Sequence, residues 1–273
     1  VKRFLFSYQA FANFKRDPHY RVVLEHVTKD IGRAYLDIAN AQTPELMAAA
    51  LESILVNDQV GNPVRFEYPP FGTLSPNTLR YVKVASDLKT LFGDDLGQHV
   101  VEIGCGYGGQ ALVLDTLFKI DRYTVFDLPL VNQLISRYLE SFVLRGSYEL
   151  RTLNQSSRED CDLVISNYAF SELPIHIQET YIDKVIGRTK KGYLTMNSGR
   201  DHAKRNDSRM SMDAILKCVP NAVVYDERPT TRHTNYIIVW GNQGTLELGG
   251  VSAPLSGEPD DASPRPWSSG TDT

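Results

Sequence analysis

The run VVEIGCGYGGQA, residues 100–111, constrains this chain most, because an apolar stretch ends abruptly in four glycines: Gly104, Gly106, Gly108 and Gly109. HVVEI (99–103) has the composition of a buried strand, and the residues after Gly109 predict a helix through 118. A strand can bend straight into a helix only where the backbone takes unusual dihedrals. A ligand can lie against that backbone only where no side chain covers it. Glycine permits both, and the amides at the helix start then face the ligand. YTVFD (123–127) follows as a second strand and ends in an acid, Asp127.

The rest of the chain fits an α/β fold with a mostly parallel sheet. Residues 130–144 predict a helix, 148–153 a third strand, 162–166 a fourth, 176–186 a helix and 192–197 a fifth strand. AVVYDE (222–227) and NYIIVWG (235–241) are joined by a connection too short for a crossover helix, so they should be antiparallel neighbours. Seven strands with an antiparallel last strand result. Residues 1–60 show helical spacing and predict a helical cap, with Thr43-Pro44-Glu45 as one helix start. Residues 61–78, rich in Pro, Gly and aromatics, predict a structured loop, after which Ser75-Pro76 opens a helix that Gly93 stops. The expected organisation is a cap (1–60), a catalytic domain (61–243) and a disordered tail (244–273) rich in Gly, Ser, Pro and Asp.

Composition narrows the function classes. With 42% hydrophobic and 23% charged residues, 273 residues can bury a core without staples. The net charge of −4, with no basic run, argues against a nucleic-acid partner. No stretch of about 18 apolar residues exists, so no membrane span is expected. Cys105, Cys161 and Cys218 lack zinc-ligand spacing and suit reduced thiols, hence a cytoplasmic setting. No dense carboxylate cluster is present, so no metal is expected.

The glycines alone leave two ligands open. Gly104, Gly106 and Gly109 also satisfy GxGxxG, and Asp127 lies 18 residues on, where a nicotinamide-dependent oxidoreductase carries its ribose-binding acid. Glu102, two residues before the first glycine, tilts the choice. A carboxylate there suits a cationic ligand end, such as the amino group of a methionine moiety, and would repel a pyrophosphate. The antiparallel ending and the long helical region ahead of the first strand tilt it the same way, toward a class I methyltransferase.

The segments GNP (61–63), GTLSPNTLRYV (72–82), VVEIGCGYGGQ (100–110), FDLP (126–129), ISNYAFSELP (165–174) and GYLTMN (192–197) resemble, in order, the sugar O-methyltransferase family of the class I superfamily. SPNTLRY and ISNYAFSEL are long and unusual and carry most of that likeness. The resemblance implies a Rossmann-like class I methyltransferase fold, S-adenosylmethionine as cofactor, and methyl transfer to a sugar hydroxyl in glycan or natural-product assembly. Another small hydroxylated metabolite is the alternative acceptor. The low-complexity tail is not part of the resemblance.

Ligands of open parallel sheets lie beyond the carboxyl ends of the strands, which selects the candidate residues. For the cofactor these are Glu102, Gly104, Gly106, Tyr107, Gly108, Asp127, Leu128, Asn154, Ser166 and Asn167. For the acceptor they are Tyr168, Ser171, His176 and Arg80. A sugar hydroxyl is a weak acid, so a base is expected among Glu172, His202 and His233. The acceptor is a small molecule or glycan. The N-terminal helices could serve as a lid or as a homodimer contact.

Overall fold

The computed structural model describes residues 1–156, 158, 160–199, 208–219 and 221–246. His202 and residues 247–273 of the expected tail lie outside the described residues.

The N-terminal region is helical: α1 (Lys2–Phe6), α2 (Tyr8–Ala12), α3 (Pro18–Leu24), α4 (Lys29–Gln42) and α5 (Pro44–Ile54). Short polar residues start them. The Asp17 carboxylate accepts the His19 and Tyr20 amides ahead of Pro18, and the Thr28 hydroxyl accepts the Ile31 amide. Thr43 precedes Pro44 as its sequence predicts, but its hydroxyl donates to the Ala39 carbonyl and to Ser86 rather than capping α5.

The loop expected over 61–78 contains a small antiparallel hairpin, β1 (Phe66–Tyr68) and β2 (Gly72–Leu74), which buries Tyr68. Ser75 then caps α6 (Pro76–Phe92), which stops at Gly93 with φ +77°. This helix lies beside α4 and is buried along most of its length.

The large sheet has seven strands: β3 (His99–Ile103), β4 (Arg122–Phe126), β5 (Ser147–Arg151), β6 (Leu163–Asn167), β7 (Lys191–Met196), β8 (Val223–Asp226) and β9 (Tyr236–Trp240). Their spatial order is β5-β4-β3-β6-β7-β9-β8, with β9 antiparallel to both neighbours and every other pairing parallel. The order reverses between β3 and β6, so the crevice at their carboxyl ends is the topological switch point. The helices α7 (Gly109–Leu117), α8 (Pro129–Leu139), α9 (Ala169–Glu172), α10 (Ile175–Lys184) and α11 (Met212–Cys218) complete the chain order. This is a Rossmann-like architecture with one antiparallel strand and with helices added at the N-terminus.

Alternation along the strands divides the core. Val100 and Val125 join the face that packs α4 to α8, whereas Val101, Ile103 and Phe126 join the face that packs α10 and α11. The N-terminal aromatics Phe4, Phe11 and Phe14 belong to the first of these cores. Helix α8 ends at Leu139, short of the expected 144, because Ser141 and Phe142 donate to carbonyls three residues back and the chain tightens. Phe142 thereby turns back onto the Tyr138 ring, 5.0 Å between centroids. Near the end of the described chain, the Gln243 and Gly244 amides donate to the Leu91 carbonyl, and Leu246 packs on the core.

A buried ion pair ties α6 to the sheet. Lys83 Nζ lies 2.6 Å from Asp87 Oδ2, and the Tyr193 hydroxyl from β7 donates to the same oxygen at 2.6 Å. Removing one partner leaves a buried charge without its counterion. Lys83→Met is therefore expected to lower unfolding free energy by about 3–5 kcal/mol in urea titrations, and Lys83→Met with Asp87→Leu to recover much of the loss. A single variant as stable as wild type would contradict the pair's role.

Candidate active site

The bend after β3 is left-handed at alternate residues: φ is +76° at Gly104, +68° at Gly106 and +101° at Gly108. The first two glycines serve different ends. A Cβ at Gly104 would sit 2.0 Å from the Ala169 Cβ, so Gly104 is required by close packing against α9. Among the described residues, a Cβ at Gly106 would meet only the Leu24 methyls, at 3.4 and 3.5 Å. Gly106 is thus the bare position, and the end of α3 lies over it. Gly108 is the N-cap of α7.

Asp127, just past β4, faces this bend. Its Oδ2 accepts the Cys105 amide at 3.0 Å and its Oδ1 the Leu128 amide at 2.7 Å. Burial pushes its pKa above the usual range, opposed by amide bonds from Leu128, Cys105 and Gly106. An ionised carboxylate has about four lone-pair sites, so acceptor capacity remains. Leu128 next to it is 69% exposed and Leu130 41% exposed, which leaves apolar surface at the rim. Asn154 is exposed, in the short helical turn after β5.

Glu102 occupies a different setting from Asp127. Register aligns Val100 with Tyr123 and Glu102 with Val125, so Glu102 and Tyr123 share a face. The Tyr123 hydroxyl donates to Glu102 Oε2 at 2.9 Å, and the carboxyl is only 1% exposed. Burial pushes its pKa to about 7, opposed by hydrogen bonds from the Cys105 thiol and Tyr123. Glu102 is therefore sealed beneath the bend by protein partners. Tyr107 is likewise buried, its ring packed edge-on against Tyr138 (4.9 Å) and its hydroxyl 3.3 Å from Asn57 Nδ2.

The acceptor-side candidates gather after β6. Ser166 is buried, donating to the Ile103 carbonyl at 2.7 Å and accepting the Phe170 amide at 3.0 Å, so it staples β6 to β3 and starts α9. Tyr168 has φ +69°, a conformation costly for a bulky residue. Its hydroxyl donates to Glu227, which also accepts from Thr231 and from Asn235 Nδ2 at 2.9 Å. Ser171 Oγ lies 2.6 Å from the Tyr168 carbonyl oxygen and 2.7 Å from Asn197 Oδ1, two acceptors for its single hydrogen. The exposed Glu172 accepts from Asn197 Nδ2 at 2.8 Å. His176 and His233 are exposed, on α10 and ahead of β9.

Asn167, Tyr168 and Arg80 share a narrow cleft with Tyr35, Thr195 and Glu227, with about 10 Å³ of space, near that of one water. Tyr35 and Glu227 were not selected from sequence. Tyr35 comes from the apolar stripe of α4 and Glu227 from the end of β8; neither carries a local motif, and only tertiary contact brings them to Tyr168.

Compared with models of protein families and with curated proteins, the chain matches none. Solved structures similar to it include a geranyl diphosphate methyltransferase in complex with SAM, at 12% identity and TM-score 0.47, over 60% of this chain and 86% of that one. An rRNA methylase from Streptococcus thermophilus follows at 19% identity and TM-score 0.41, over 59% of this chain and 95% of that one. An O-methyltransferase family protein from Burkholderia thailandensis has 14% identity and TM-score 0.41, over 54% of this chain and 51% of that one. Likeness at this level adds nothing to what the strand order establishes. No described helix is long and apolar enough to cross a membrane.

Proposed function

We propose that this chain is an S-adenosylmethionine-dependent O-methyltransferase whose acceptor is a sugar hydroxyl. The observation that carries the cofactor reading is the juxtaposition, at the switch point, of the bare Gly106 backbone with the Asp127 carboxylate. The residues fit such a cofactor: Asp127 retains acceptor capacity for a ribose hydroxyl, and Leu128 offers exposed apolar surface for the adenine. Among the described residues, the buried atoms Tyr20 Oη, Glu25 Oε1, Asn77 Oδ1 and Arg80 Nε lack partners, and Glu25 follows the Leu24 that lies on the bend. An unpaired buried polar atom costs about 1–3 kcal/mol, so a group of them favours a polar ligand.

When bound, S-adenosylmethionine supplies a methyl group activated by a sulfonium sulfur. The chain's own residues must then orient an acceptor hydroxyl and remove its proton. Glu227 accepts four hydrogen bonds, so it serves as an anchor that orients Tyr168 rather than as a base. Burial raises the Tyr168 pKa well above its ordinary value, so the phenol stays neutral, and its oxygen can accept a hydrogen bond from the acceptor. Glu172, exposed and held by Asn197, takes the proton. His202 and His233 are the other candidate bases, and Ser171, His176 and Arg80 line the acceptor region. The sugar assignment is supported by the resemblance of SPNTLRY and ISNYAFSEL.

A transfer assay with methyl-labelled S-adenosylmethionine and a panel of glycosides, phenols and aliphatic alcohols tests this. Label is expected on glycosides. Label only on non-sugar hydroxyls would overturn the acceptor assignment and keep the cofactor.

A further inference from the structure

Helix α3 ends against the glycine bend, and what it brings there is a carboxylate. Leu24 sits on Gly106, and the next residue, Glu25, is 6% exposed. Glu25 Oε2 accepts from Asn77 Nδ2 at 2.8 Å, whereas Oε1 is buried without a partner among the described residues. Asn77 Oδ1 and the Tyr20 hydroxyl have no partner among the described residues either. Tyr20 lies on α3, five residues before Glu25, and burial holds its hydroxyl pKa well above the ordinary value, with Tyr81, Glu25 and Asp127 adding to the rise.

The unmet atoms have one chemical character. Glu25 Oε1 and Asn77 Oδ1 are acceptors only, and a phenolic oxygen also accepts. A buried carboxylate oxygen without a partner calls for a donor, and a ligand ammonium brings several hydrogens. Lys15, whose charge reaches Glu25, is engaged elsewhere: its Nζ donates to the Asn57 carbonyl at 2.6 Å and lies 4.4 Å from the Tyr107 ring centroid. The expected partner for a ligand ammonium, Glu102, is closed off by Tyr123 and Cys105.

We propose that Glu25, with Asn77 and Tyr20, binds the α-ammonium of the cofactor's methionine end, so that the N-terminal helices form one wall of the cofactor site. This assignment rests on the cofactor reading above.

Calorimetry on the full chain tests it with three probes: S-adenosylhomocysteine, its desamino analogue, and 5′-methylthioadenosine, which lacks the amino-acid end. Wild type should bind S-adenosylhomocysteine about 10- to 100-fold more tightly than the desamino analogue, the value of a hydrogen bond to a charged group. Glu25→Gln should abolish that preference and bind 5′-methylthioadenosine like wild type, which also shows that the variant is folded. Wild type that does not distinguish the amino group, or a Glu25→Gln variant that keeps the preference, overturns the assignment and leaves the cofactor intact. Wild type that binds none of the three overturns both.

Discussion

Gly106→Val is expected to abolish binding of S-adenosylhomocysteine while leaving the chain folded. At φ +68° a branched residue costs about 1–2 kcal/mol, a modest fraction of a domain's stability. Among the described residues, the only neighbours of the new Cβ are the methyls of Leu24, a partly exposed side chain that can shift. The branched side chain would instead fill the face of the backbone that a nucleoside must approach. Position 104 would not behave so, because there the added carbon is driven into Ala169 at 2.0 Å and the damage is to packing between β3 and α9. The check is calorimetry beside a thermal melt. Retained affinity would show that the ligand does not lie on this bend.

Glu172→Gln should lower turnover by about 10²–10⁴-fold, the usual contribution of a positioned general base. The change is isosteric, and Gln keeps an oxygen to accept from Asn197 Nδ2, so the loop after β6 should hold its shape. Affinity for S-adenosylhomocysteine should not change, since the effect falls on proton removal. Wild-type turnover would reduce Glu172 to an acid at the end of a one-turn helix.

What the sequence made legible divides along physical lines. The strands β3, β4, β6 and β7 lie in the middle of a covered sheet, so their residues form continuous apolar runs that end in recognisable turn chemistry. Helix α6 was marked at both ends by Ser75-Pro76 and Gly93. The β1–β2 hairpin was not legible, because two three-residue strands are too short to show alternation. Helix α9 is a single turn and α11 covers two, too little for a helical period. The bend and Asp127 were legible because they are contiguous with the strands that hold them. Glu25, Tyr35 and Glu227 were not: their meaning comes from contacts with residues about 50 to 130 positions away, reached through packing of α3 and α4 on α6 and of β8 beside β9. Glu102 illustrates the converse, since its position in the motif was plain while its closure by Tyr123 depended on strand register.

Calorimetric titration of the wild-type chain with S-adenosylhomocysteine, run beside NADH, decides which ligand the glycine bend holds. Saturable binding of S-adenosylhomocysteine is expected, and none of the dinucleotide. Binding of NADH with no response to the sulfur nucleoside would contradict it.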